Sequence, residues 1–177
     1  MRNLIVSALL VGSLMSAVAV VGVAQQSKAQ EIAASFNKHK NSVKEKYGVK
    51  TVKFKDVRAE PVVRQNASEY AGLYEVSGLG YVINLQISSD GRIHGTGSES
   101  SRAFKLENAK LDGALLTASK VYQDGATEKF EGVFINRTER NSPTHAATTT
   151  FGLGVILNQP VQIDGLTYQR MFYQLKR

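Results

Sequence analysis

The stretch Tyr81-Val82-Ile83-Asn84-Leu85-Gln86-Ile87, followed at once by Ser89-Asp90-Gly91-Arg92, decides the fold. Tyr81, Ile83, Leu85 and Ile87 recur at every second position, the period that gives a strand one apolar face. The Asp-Gly pair then supplies the positive φ that a tight hairpin needs. Phe151, Leu153, Val155 and Leu157 repeat the same alternation.

Outward from this stretch the same signals divide the chain from Tyr70 to its end. Strands are expected at residues 73–76, 81–87, 92–97, 103–107, 115–122, 129–136, 148–157 and 166–175. Three more Asp-Gly pairs, in Leu111-Asp112-Gly113, Gln123-Asp124-Gly125 and Ile163-Asp164-Gly165, mark turns between them. No helical periodicity intervenes, which excludes βαβ crossovers and leaves an antiparallel meander. The expected fold class is therefore mainly β: an antiparallel up-and-down barrel of about eight strands, whose closure removes its own edges, preceded by one N-terminal helix. A β-sandwich is the alternative.

The 177 residues, 42% hydrophobic and 21% charged, have the make-up of one globular domain with a core large enough to do without covalent staples. Cysteine is absent, which excludes disulfides, thiolate metal sites, a cysteine nucleophile and a lipid-modified cysteine. Met1-Arg2-Asn3 and the uncharged run from Leu4 to Ala24 have the order of a secretory leader, with small residues at Gly22 and Ala24 for cleavage after Ala24. An uncleaved inner-membrane anchor is the alternative, opposed by the lysines on its far side. An exported, periplasmic or secreted protein is expected, and an exported chain free of cysteine suits a bacterial envelope. The expected organisation is a leader over 1–24, a basic arm over 25–66 and a barrel domain over 67–177.

Charge is unevenly distributed. Residues 28–64 hold ten Lys/Arg against four acids, a net of +6, whereas from Gln65 onward eleven basic residues balance eleven acids. Within the arm, Ile32, Phe36, Val43 and Tyr47 fall on one side of a helical wheel, and Gly48 stands where a helix C′ residue belongs. A helix over 29–47 is expected, then a short edge strand at 49–54 guarded by Lys50 and Lys53, and a break at Pro61. The arm is expected to pack its apolar stripe on the barrel, with weak contact to an anionic membrane surface as its functional alternative. Nucleic acid is set aside, because few arginines and no interleaved aromatics are present for base contact.

At Tyr70-Ala71-Gly72-Leu73-Tyr74 the chain resembles the opening of calycin-like barrels of the lipocalin and avidin type, where a Gly-x-Trp or Gly-x-Tyr element starts the first strand. The same residues are similar to the opening of small barrel domains appended to some bacterial serine hydrolases. The resemblance implies a barrel with a possible ligand cavity. Lipocalins and avidins keep a tryptophan here and this chain has none, so neither family's ligand carries over.

Motifs for nucleophilic, zinc, P-loop and Ca²⁺ chemistry are missing from the sequence, and no cofactor is expected. His39, His94 and His145 are far apart and none is assigned a catalytic or metal role. Gly95 and Gly97 share the inward parity of Ile93 and leave space for a strand bend or a pocket. Tyr74, Tyr81, Phe104, Phe134 and Phe151 are the candidates to line such a pocket. The expected function is a non-catalytic envelope protein that binds a small apolar molecule or another protein. The alternative is a hydrolase drawing on His94, Glu99 and Arg102.

Overall fold

The computed structural model describes residues 25–46, 49–76, 78–99, 101–141, 144–163 and 165–176. The leader expected over 1–24 lies outside them, as do Tyr47 and Gly48, on which the expected end of the helix rested. Residues 25–34 form a helix, α1. There follow β1 (Lys38–Lys46), β2 (Val49–Pro61), a 3-10 turn (Ala67–Tyr70), β3 (Gly72–Val76), β4 (Tyr81–Ile87), β5 (Ile93–Glu99), β6 (Arg102–Asp112), β7 (Leu115–Tyr122), β8 (Thr127–Arg140), β9 (Thr148–Ile163) and β10 (Leu166–Lys176). No helix among the described residues is long and apolar enough to cross a membrane.

Strands β3 to β10 each pair antiparallel with the next, and β10 returns to β3 with Leu175 opposite Tyr74. The result is a closed eight-stranded up-and-down barrel, compatible with a calycin-like plan. Each expected strand from Leu73 onward corresponds to one barrel strand. At the Asp-Gly turns glycine rather than aspartate takes the left-handed conformation, as at Gly91 (φ 80°) and Gly125 (φ 82°). The aspartate instead folds back on the turn, with Asp124 Oδ1 accepting from the Ala126 N–H at 3.0 Å.

The arm differs from the expected helix over 29–47. Helix α1 ends at residue 34, and β1 and β2 form a hairpin whose inner strand pairs with residues 135–140 of β8. Two side chains help turn the chain out of the helix. Ser35 Oγ donates to the Ile32 carbonyl at 2.6 Å, and Asn37 Oδ1 accepts from the Ala59 N–H of β2 at 2.6 Å. Beyond them the Lys-x-Lys alternation fits an extended ladder, and the β-branched Val49, Thr51 and Val52 provide its partner. Pro61, which lacks an N–H, is the last residue of β2.

What does persist from the expected arm is its packing. Ala29, Ile32 and Ala33 of α1 close over Ala59, Ala114, Leu115, Val133 and Ile135 on the outer barrel wall. Val133, Phe134 and Ile135 are consequently all buried although consecutive, Phe134 facing the interior and its neighbours the helix.

One end of the barrel is capped by the 3-10 turn. Tyr70 stacks there on Phe134, and Tyr74 Oη donates to the Tyr70 carbonyl at 2.6 Å. Gly95 and Gly97 face inward as expected, but the space they leave is filled. A Cβ at Gly95 would stand 2.6 Å from Leu106 Cδ1, and one at Gly97 would overlap the Phe104 ring and the Val82 carbonyl. These glycines let large side chains of β6 pack across β5. Beside these two glycines the interior is filled by Leu106 and Phe104.

Candidate functional site

The other end is built differently. Strand β8 pairs with β7 through residues 127–133, yet its ladder with β9 begins only at Gly132 opposite Val155. Residues 127–131 of β8 and those of β9 beyond Val155 therefore diverge, leaving a cleft of about 420 Å³. Tyr81, Glu128, Phe130, Val155, Leu157 and Val161 are among the residues that line it. Asn158 Nδ2 spans the gap by donating to the Lys129 carbonyl at 2.7 Å.

The floor of the cleft is a charged cluster inside an otherwise apolar barrel. Inward parity on β7 carries Leu116, Ala118, Lys120 and Tyr122, and Lys120 is only 4% exposed. Its ammonium bonds to Glu99 Oε1 and lies 4.9 Å from the centroid of Phe104 and 5.5 Å from that of Phe130. Burying that charge is tolerable because a carboxylate and two ring faces surround it. Tyr122 Oη stands 2.9 Å from Glu99 Oε2 and 3.2 Å from Glu128 Oε2.

A phenol has a single hydrogen to donate, so it serves one of these carboxylates at a time. Burial, and then the bond to Glu99 and the charges of both glutamates, push the Tyr122 hydroxyl well above its ordinary pKa. Tyr122 is thus a fixed neutral donor. Above it, Arg102 lies over the Tyr122 ring at 4.0 Å and bonds Asp124 Oδ2 at 2.9 Å. The N–H of Ala126, followed by Arg102, holds the Asp124 carboxyl below its usual range.

Charge in the inner cluster does not cancel. Lys120 offsets Glu99, whereas Glu128, although opposite Lys120 in the ladder, has Tyr122 as its hydrogen-bond partner and forms no ion pair among the described residues. One carboxylate therefore faces a cleft whose far wall is Val155, Leu157 and Val161.

Of the five aromatic candidates, Tyr74, Tyr81, Phe104 and Phe134 share one buried core cluster against which Phe151 packs. Tyr74, Phe134 and Phe151 lie at the capped end, with Phe134 and Phe151 6.1 Å apart. Tyr81 lines the cleft, and Phe104 lies beneath Lys120. Glu99 and Arg102 are cross-strand partners at the cleft, but His94 sits five residues back along β5, about 17 Å away at strand rise. Lys120, Tyr122 and Glu128 were missed by sequence reasoning. The available signal was a charged residue on the inward parity of an apolar strand, Lys120 between Ala118 and Tyr122 and Glu128 two before Phe130.

Among the described residues no three His, Asp or Glu side chains are grouped to hold a metal ion. No family model matches the chain, and no curated protein or solved structure is significantly similar to it.

Proposed function

We propose that this chain is an exported, non-catalytic binding protein whose barrel takes a small, mainly apolar molecule carrying a cationic group into the cleft between β8 and β9. The observation that supports this most directly is Glu128, a carboxylate hydrogen-bonded by a phenol and in no ion pair among the described residues, opposite an aliphatic wall. A volume of about 420 Å³ is within the range of small-molecule sites. An ammonium group at Glu128 would satisfy the carboxylate that Tyr122 cannot serve while it donates to Glu99, and an alkyl chain would lie along Val155, Leu157 and Val161. The calycin-like opening Tyr70-Ala71-Gly72-Leu73-Tyr74 and the barrel plan favour affiliation with binding barrels, and export rests on the sequence of residues 1–24.

The test uses three decyl probes below their micellar concentrations, with trimethylammonium, sulfate and maltoside heads, titrated into the protein and followed by amide chemical shifts. Saturable binding of the ammonium probe, with shifts at Tyr122, Leu157 and Val161 and at least tenfold weakening in Glu128→Gln, is expected. Equal affinity for all three heads, or shifts away from the cleft, would refute the proposal.

A further inference from the structure

We infer that the ligand of the cleft is a short extended peptide that pairs with the edge of β8, carrying an aliphatic residue and, two positions later, a lysine. This rests on the reading of the cleft as a site for an apolar cation and adds what the strand edge demands of it.

The backbone direction along β8 carries the argument. In an antiparallel ladder successive residues turn their N–H and C=O groups to opposite neighbours. The Tyr122 N–H donates to the Ala126 carbonyl and the Phe134 N–H to the Ala114 carbonyl, each at 2.9 Å, so even-numbered residues of this stretch turn to the β7 side. The β7–β8 register runs without a shift from Thr127 to Val133. Lys129 therefore turns its backbone groups towards β9. The β8–β9 ladder stops at Gly132, so β9 supplies no backbone partner to Lys129. Its carbonyl is met instead by a side chain, the Asn158 carboxamide, which donates at 2.7 Å where a neighbouring strand would place an N–H.

Strand β9 withdraws through a bulge. Ile156 stands opposite Arg170 and Val161 opposite Tyr168, so Leu157, Asn158, Gln159 and Pro160 face the single residue Gln169. Bulges end pairing and re-aim side chains, and Pro160 has no N–H to give an edge. The β8 edge thus borders an opening, the arrangement to which an extended peptide adds as a further strand.

Register then dictates the side chains. A peptide antiparallel to β8 continues from Val155 opposite Gly132 and sets successive residues opposite Phe130, Lys129 and Glu128. Residues directly opposite share a face. Phe130 is buried and Glu128 half-buried in the cleft, whereas Lys129 is exposed. The first peptide residue accordingly enters the apolar part of the cleft beside Phe130, Val155 and Leu157. The second turns its side chain to solvent and both backbone groups to Lys129. The third brings its side chain to Glu128, where a lysine supplies the ion pair that this carboxylate lacks among the described residues.

The test titrates the full chain, followed by amide chemical shifts, with acetyl-Leu-Thr-Lys-Thr-amide, its reordered form acetyl-Lys-Thr-Leu-Thr-amide, and a version with an ester in place of the Leu–Thr amide. Decyltrimethylammonium is run beside them. Saturable binding of the first peptide is expected, weakened at least tenfold by reordering and by Glu128→Gln. The ester removes the one N–H aimed at the Lys129 carbonyl and should weaken it about fivefold. Asn158→Ala removes the competing donor and should tighten the peptide about fivefold while leaving decyltrimethylammonium unchanged. Exchange of the Lys129 amide proton should be slowed by the peptide and not by decyltrimethylammonium.

If decyltrimethylammonium binds through Glu128 while the three peptides bind equally or not at all, the cleft keeps its cationic ligand and strand pairing is wrong. Weaker peptide binding in Asn158→Ala, or unslowed exchange at Lys129, overturns the inference in the same way. If neither kind of probe binds, the reading of the cleft falls with it.

Discussion

Tyr70 and Phe134 stack with ring centroids 4.2 Å apart, and the Tyr70 hydroxyl ties the linker after β2 to the capped end of the barrel. It accepts from the Arg64 N–H at 2.6 Å and donates to the Val62 carbonyl at 2.9 Å, with the Gly113 carbonyl at 3.3 Å. Tyr70→Phe keeps the stack and strands both linker groups, so a loss of about 1–3 kcal/mol is expected. Tyr70→Ala also removes the ring and should cost about 3–5 kcal/mol. Chemical denaturation of the two variants measures both, and equal losses would show that the hydroxyl contributes everything and the ring nothing.

The barrel strands were legible because each presents its own apolar parity between local turn signals, and neither needs knowledge of the partner strand. The hairpin of β1 and β2 was not. Ile32 and Phe36 do pack with α1, but Val43, which completed the helical wheel, lies in β1 opposite Val52. Nothing local forbids a helix through Lys38 to Lys46; its strand state is decided by β2 and, behind it, by β8. The cleft was hidden for a related reason. It exists because β8 leaves β7 and β9 at different heights, a property of register between distant segments, and its charged floor reads in sequence as ordinary surface residues. The aromatic candidates were recognised as interior residues, but sequence does not say which end of a barrel is filled.

Gly97 bears on whether the interior is full. Gly97→Ala places a methyl group against the Phe104 ring and the Val82 carbonyl and should destabilise by about 1–3 kcal/mol. Phe104→Leu in the same chain makes room on one side and should recover part of that loss. A double-mutant cycle with no coupling between the two positions would show that the glycine is not there to admit Phe104.

Glu131 makes the seating of α1 sensitive to pH. It receives Lys28 at 2.5 Å from the helix side and Lys129 at 2.7 Å from its own strand. Burial raises the pKa of its carboxyl, but the bonds from Lys129 and Lys28 outweigh burial and leave it below the ordinary value. A depressed carboxyl stabilises the fold above its unfolded value of about 4.5, and that contribution disappears as pH falls through the folded value. Both lysines are partly exposed, so the pair contributes about 0.5–1 kcal/mol. Glu131→Gln should therefore melt below the parent protein at pH 7 and together with it near pH 3. A gap that persists in acid would show that packing, not charge, is what the glutamate provides.

Lys120 tests the cleft itself. Lys120→Met fills similar volume but leaves Glu99 and Glu128 flanking Tyr122 without the buried ammonium, and losing one partner of a buried pair costs about 3–5 kcal/mol. Adding Glu99→Gln removes the uncompensated charge and should restore most of the stability. The same single variant separates a ligand site from a merely structural ion pair. With its cation gone the cleft presents two carboxylates, so Lys120→Met should bind decyltrimethylammonium more tightly than the parent while gaining nothing for decyl sulfate. If its affinity for the ammonium probe is unchanged while its stability falls, the cluster serves to fix the open end of the barrel, and the assignment of the cleft to a cationic ligand is wrong.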